Sequence, residues 1–465
     1  MSLQKDLVKT ALEYRKKGDN ETAISLLKQH LASQPNDHVA KHNLAAALGD
    51  IGEHLDAVKV LKSAINKGLN KAPSWLVYAR SLAQINKYER AVQAYKKVLS
   101  SHPTDADAQR ELAQLIWMSQ GDYEKALSGL TQAISKHPSA LNLKILRAEL
   151  AGQMENHEDR YKWLKLCYEA SDKQASIQFY MSKAALAIGK YDEALHLAEV
   201  AAQAFPTDIN CGIHTVNCYL AKSFPEKAVP LIERMLTTHP TNQHLIALLS
   251  TCWRLLGDAR YEEYYDYDRF VKQLPLGVPK GWENLDSYIQ DLESGLEEAH
   301  RYKEHPFFLS VRHGSQIPSI TGSINPAMRA FTEACKEPLQ TYLSGLCSGT
   351  SPLLFRNTGS AKLFSSWSVK LHKTGHHVNH VHQEGWLSSA CHIRHAQTSN
   401  NKGDKSGWLK LGEPGSVCAP KLKAERYIQP QRGMIVFFPS YMWHGTVPFT
   451  EDTNRLTVAA DFQPI

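Results

Sequence analysis

Hydrophobic and polar positions follow two different periods along this chain. Through the first half, apolar residues recur at helical spacing, and alanines at 23, 57, 91 and 126 are separated by 34, 34 and 35 residues. Ala194 and Ala228 continue the series, with one repeat near Arg160 lacking its alanine. A proline stands twelve residues after most of these anchors, at Pro35, Pro103, Pro138, Pro206 and Pro240, with Leu69 and Asp172 where the pattern lapses. A small alanine lets two antiparallel helices approach closely, Gly18, Gly52, Gly121 and Gly189 end first helices, and proline stops the second. The spacing predicts seven helical repeats over residues 4–240, stacked into a continuous core and a right-handed superhelix with a concave groove.

From Thr241 to Leu274 the tyrosine-rich RYEEYYDYDRFVKQL reads as terminal helices, with Tyr261, Tyr264 and Tyr265 packing on the last repeat and the following domain. LPLGVPKG then breaks the pattern with two prolines and two glycines, so a boundary is expected between residues 1–274 and 275–465. Beyond it come an amphipathic run with Leu285, Ile289, Leu292 and Leu296 on one side, and a second helix from Ala327 to Leu343. The period then falls to two. SSWSVKL alternates Trp367, Val369 and Leu371 against Ser366, Ser368 and Lys370, GMIVFFP reads as a short buried strand, and RLTVAADF alternates again. Short strands with glycine-rich turns predict a β-sandwich or barrel, hence an α + β chain of two domains.

Composition narrows the classes. With 465 residues, 43% apolar and 22% charged, the chain is an ordinary soluble one, and a net charge of +6 without a long basic block gives nucleic-acid binding no support. No apolar leader or stretch of about 18 apolar residues occurs, so a cytoplasmic protein off the membrane is expected. Eight cysteines form no CxxC and read as buried reduced thiols.

Trp75, Ala79, Ala91, Tyr95 and Pro103 in the third repeat, and YDEALHLAEVAAQAFP from Tyr191 to Pro206, resemble the tetratricopeptide repeat. That resemblance implies a protein or peptide partner in the groove; an array that only rigidifies or dimerises the chain is the plainer alternative.

HHVNHVHQEGWLSS carries the candidate chemistry. His380 and His382 stand at i and i+2, so on an extended strand they project from one face, and His444 in WHGT can close a metal site. His376 and His377 are read as exposed loop residues or as donors supporting the ligands, and not as ligands themselves. Trp386 and Trp443 are read as barrel packing.

The succession SWSVKL, HVNHVHQEGWLSS, LKLGEPG, FFPSYMWHGTVPF and RLTVAADF, over about residues 280–465, resembles the 2-oxoglutarate and iron(II)-dependent oxygenases fused to tetratricopeptide repeats in bacteria. The resemblance implies a double-stranded β-helix (jelly roll), Fe(II) held by a His-x-Asp/Glu pair with a distal histidine, and a downstream Arg or Lys anchoring 2-oxoglutarate. Here these are His380, His382, His444 and Arg455, with a histidine where the family usually has a carboxylate; Glu384 is the alternative to His382. Strand phase agrees, since Arg455, Thr457, Ala459 and Asp461 share one face, and a guanidinium beside a hydroxyl suits a carboxylate. CHIRHAQTSNN, from Cys391 to Asn401, departs from the aromatic strand of the relatives. The expected activity is dioxygen-dependent hydroxylation of a protein or peptide side chain. A three-histidine iron dioxygenase independent of 2-oxoglutarate, and a non-catalytic interaction scaffold, are the alternatives.

Overall fold

The computed structural model describes residues 2–395 and 403–465. The chain divides into two compact units, Met1–Arg147 and Ala148–Ile465. Helix pairs follow one another as the alanine spacing requires: Ser2–Lys16 with Asn20–Ser33, His38–Asp50 with His54–Asn66, Ala72–Gln84 with Tyr88–Ser101, Ala106–Gln120 with Tyr123–Lys136, Leu141–Gln153 with His157–Ala170, Ala175–Ala187 with Tyr191–Ala204, and Ile209–Ala221 with Pro225–Thr238. The anchoring alanines at 23, 57, 91, 126, 194 and 228 are all buried. Pro35, Pro103, Pro138, Pro206 and Pro240 each follow directly on a helix C-cap residue.

The fifth pair explains the missing alanine. Arg160 stands at that position and its Nη2 donates to Glu149 Oε1 at 2.7 Å. Space for it comes from Gly152, where a Cβ would lie 2.6 Å from Arg160 Cδ. The turns inside the pairs share one backbone device: Gly18, Gly52, Gly121 and Gly189 have positive φ, and Asn86, Glu155 and Ser223 take the left-handed conformation at the equivalent turns of the remaining pairs.

Helix Gln243–Leu256 follows the last pair, ends at left-handed Gly257, and leads into short helices Arg260–Tyr264 and Tyr267–Phe270. The chain then leaves the helical expectation. Lys272–Pro275 is a strand, β1, at a sheet edge, where a proline without an N–H is tolerated. The other strands are β2 (Val311–Ile317), β3 (Ala361–His377), β4 (Leu387–Arg394), β5 (Leu409–Leu411), β6 (Arg426–Ile428), β7 (Met434–Pro439), β8 (His444–Thr446) and β9 (Arg455–Pro464). They pair antiparallel in a six-stranded sheet, β1-β7-β4-β9-β3-β2, and a three-stranded one, β6-β5-β8, giving the sheet-rich C-terminal region of the expected fold. Within β2, Gly314 is required because a Cβ would sit 2.4 Å from Lys370 O on β3.

The helix expected over Ala327–Leu343 is three short ones, Pro326–Arg329, Phe331–Ala334 and Lys336–Ser344. Pro338 has no N–H for Ala334 O, and that carbonyl accepts from Gly277 N at 2.9 Å instead. On β9, Leu456, Val458, Ala460 and Phe462 share one apolar core with Tyr288, Ile289, Leu292 and Leu296 of helix Leu285–Ala299, and with Leu245, Ile246 and Trp253 of helix Gln243–Leu256. The alternate face of β9 is thereby left for chemistry.

Candidate metal centre

His380 and His444 are clamped by an isolated antiparallel bridge, His380 N donating to His444 O at 2.9 Å and His444 N to His380 O at 3.1 Å. His382 lies beyond the bridge, in the loop before β4, and its N donates to Ser440 O at 3.2 Å. The strand expected through both histidines is therefore interrupted, yet the rings still meet. The ligand nitrogens of His380, His382 and His444 all lie within 4.8 Å of one another.

Each ring has its Nδ1 engaged. His380 Nδ1 donates to Val378 O at 2.9 Å, His444 Nδ1 to Met442 O at 2.9 Å, and His382 Nδ1 to Asp461 Oδ1 at 2.6 Å. Carbonyl and carboxylate oxygens only accept, so the ring protons sit on Nδ1 and the Nε2 lone pairs turn inward. His380 Nε2 and His382 Nε2 face each other at 3.2 Å. Two bare lone pairs so close repel unless a cation joins them, and nitrogens each roughly 2.0–2.1 Å from one metal ion are separated by about this distance. Burial, then the neighbouring His382, lowers His380 to about 3. Burial likewise pushes His444 well below the usual range, with His380 and His382 adding to it. Neutral imidazole is the form that binds metal.

Ser388 Oγ donates to Asp461 Oδ1 at 2.7 Å and lies 2.9 Å from His382 Nδ1 and 2.8 Å from Ser440 Oγ. Trp367 sets its edge against the His382 ring at 5.2 Å, and Phe438 lies 4.7 Å from His444. Asp461, Ser388 and Ser440 escaped the sequence reading as parts of the site. The strand phase of Asp461 was visible, but its meeting with His382 depends on the β4–β9 register, in which Ser388 opposes Asp461.

The other candidates separate. His377 stacks on His380 at 5.7 Å with its Nδ1 2.9 Å from Ser310 Oγ, and His376 Nδ1 meets Thr374 O at 3.1 Å; neither joins the three-histidine group. Glu384 is exposed and borders a different cavity, of about 380 Å³, with His239, Asn242, Arg356 and Gln463. Trp386 and Trp443 are buried, their Nε1 atoms donating to Leu353 O at 3.0 Å and Thr251 Oγ1 at 2.9 Å. Of CHIRHAQTSNN, Cys391–Arg394 completes β4, and residues 396–401 lie outside the described residues.

Arg455 and Thr457 point inward from β9 and are 2% and 4% exposed. Among the described residues Arg455 has no acidic partner: its hydrogen-bond contact is His392, Nη2 to Nδ1 at 3.5 Å, and its Nε is buried without one. Burial lowers the guanidinium to about 10, so it stays charged at neutral pH. A buried cation without a counter-charge costs several kcal/mol, roughly, and a carboxylate ligand would remove that cost.

Residues 365–461 match the family described as "Putative 2OG-Fe(II) oxygenase". Residues 78–140 match the family described as "Tetratricopeptide repeat", and residues 16–98 that described as "Anaphase-promoting complex, cyclosome, subunit 3". The chain thus carries tetratricopeptide repeats followed by a domain of the 2OG-Fe(II) oxygenase family, whose name implies Fe(II) and 2-oxoglutarate. No curated protein matches it. Among solved structures it is similar to a tetratricopeptide repeat protein from Parabacteroides merdae (15% identity, 54% of this chain, 99% of that one, TM-score 0.39). It is also similar to MamA from Desulfovibrio magneticus RS-1 (19% identity, 37% and 96%, TM-score 0.31). No helix among the described residues is long and apolar enough to cross a membrane.

Proposed function

We propose that this protein is a 2-oxoglutarate- and Fe(II)-dependent dioxygenase that hydroxylates a side chain of a protein or peptide held by its repeats. His380, His382 and His444 would hold the metal through Nε2, and Arg455 with Thr457 would receive the distal carboxylate of 2-oxoglutarate. The observation that carries this reading is the convergence of three Nε2 atoms whose Nδ1 sides are already occupied. When bound, Fe(II) and 2-oxoglutarate supply dioxygen reduction coupled to decarboxylation, and with it the oxidising power to hydroxylate an unactivated C–H bond. The chain's own residues bind and orient. The main-chain bridge fixes His380 against His444, and Trp367 and Phe438 pack against the His382 and His444 rings. Asp461 restores behind His382 the negative charge that the family's usual carboxylate ligand would carry.

Succinate release from 2-oxoglutarate in the absence of peptide is the simplest test. It is expected from the iron-loaded protein and lost in His444→Ala; iron-loaded protein with no turnover, alone or across a peptide panel, overturns the reading. The all-histidine ligand set favours one rival, a dioxygenase whose substrate binds the metal directly. That rival gains if 2-oxoglutarate fails to raise the melting temperature of the anaerobic Fe(II) protein and Arg455→Ala changes nothing.

A further inference from the structure

Beyond the metal centre, the inner face of the β4–β9 pair has a graded chemistry. Ser388 opposes Asp461, Ala390 opposes Ala459, and His392 opposes Thr457. Residues directly opposite in an antiparallel pair project from the same face, so these three rows lie side by side beneath the site. The first row touches His382. In the middle row both residues are alanine, and in the centre of the sheet both keep partial exposure, as does Trp367, which opposes Ala459 on β3. With only methyl side chains there, the middle row presents little bulk between the histidines at one end and the third row at the other.

That third row ends in unmatched donors. His392 is fully buried, its Nδ1 lies 3.5 Å from Arg455 Nη2, and its Nε2 has no hydrogen-bond partner. Because the guanidinium nitrogen only donates, His392 Nδ1 is the acceptor and the ring proton sits on Nε2. Burial and the charge of Arg455 keep the ring neutral. Arg455 Nε–H is buried and unpaired as well. Two fixed N–H groups without acceptors, one on a cation, are costly in a dry interior and complementary to an anion.

We propose that His392 is a co-substrate-binding residue: its Nε2–H and the Arg455 guanidinium together hold the carboxylate of a 2-oxoacid whose other end reaches the histidines over Ala390 and Ala459. His392 belongs to the segment that departs from the aromatic strand of the relatives, and here the departure supplies the second donor. The inference rests on the proposed function for the identity of the ligand, and only on the unmatched donors for the existence of the anion site.

The test is 2-oxoglutarate binding by the full-length, Mn(II)-loaded anaerobic protein, followed by equilibrium dialysis alongside the ligand-free melting temperature. His392→Leu, which keeps bulk and removes the donor, is expected to weaken binding at least tenfold. His392→Gln, whose amide nitrogen reaches the place of Nε2, is expected to stay within about threefold of wild type. Arg455→Met should abolish binding. Wild-type binding lost in Arg455→Met but unchanged in His392→Leu overturns the role of His392. Wild type that binds succinate or sulfate with the same dependence on His392, but not 2-oxoglutarate, overturns the functional reading and leaves the anion site standing; wild type that binds none of these overturns both. Should His392→Leu not fold, a structure of the wild-type complex decides: a ligand oxygen within hydrogen-bond distance of Nε2 supports the proposal, and a ring turned away from the ligand overturns it.

Discussion

Asparagine at position 461 would preserve the shape of Asp461, remove its charge and offer an N–H to His382 Nδ1. The His382 proton would then favour Nε2, the atom turned toward the other two rings. Asp461→Asn should therefore weaken metal binding by about 10–100-fold, the range for such supporting carboxylates, as measured by chelator competition. An unchanged affinity would show that His382 needs no fixed tautomer. Much of the site is legible at this scale, because HVNHVH, WHGT and the phase of Arg455 are local patterns. Asp461 and His392 are not, since each gains its meaning from a residue more than sixty positions away brought close by strand register.

At the scale of elements, the repeats are legible because one requirement recurs: a small residue where two helices approach. The fifth pair tests the rule by breaking it. Arg160 fills the alanine position and Gly152 gives up its side chain to admit it. Gly152→Ala should destabilise by about 1–3 kcal/mol through overpacking against Arg160, whose head is tied to Glu149. Adding Arg160→Ala should recover part of that loss, so denaturant midpoints of the two single variants and the double variant should show non-additive coupling. Additive effects would mean that the two residues do not share space. What the pattern hid were elements too short or too dependent on partners to carry a period. KQLP has four residues and no alternation, and is a strand only because Met434–Phe437 lies alongside it. The segment from Pro326 to Ser344 keeps helical spacing while Pro338 breaks its hydrogen-bond ladder.

In the Ala148–Ile465 unit as a whole, the last repeat helices and the sheet share one apolar core, and that core carries polar groups held uncharged. Burial lowers His214 to about 3, His244 to about 4 and His300 to about 3. Each folded-state value lies below the unfolded value of about 6.5, so the unfolded chain takes up protons first as pH falls. Their contribution is complete above about pH 6.5 and is lost as pH falls toward 3–4. Metal-free protein should therefore melt at progressively lower temperature from pH 7 to pH 5, and a flat profile across that range would show that these rings titrate freely in the fold. Two indoles lie next to the candidate metal ligands, one in space and one in sequence. Trp367 lies edge-on to His382, and Trp443 precedes His444 with its ring against His244 at 5.7 Å. Two of the nine tryptophans thus stand within energy-transfer range of any ion with a partly filled d shell held there. The chain carries its own optical gauge: metal entry would dim its native fluorescence before any product is formed.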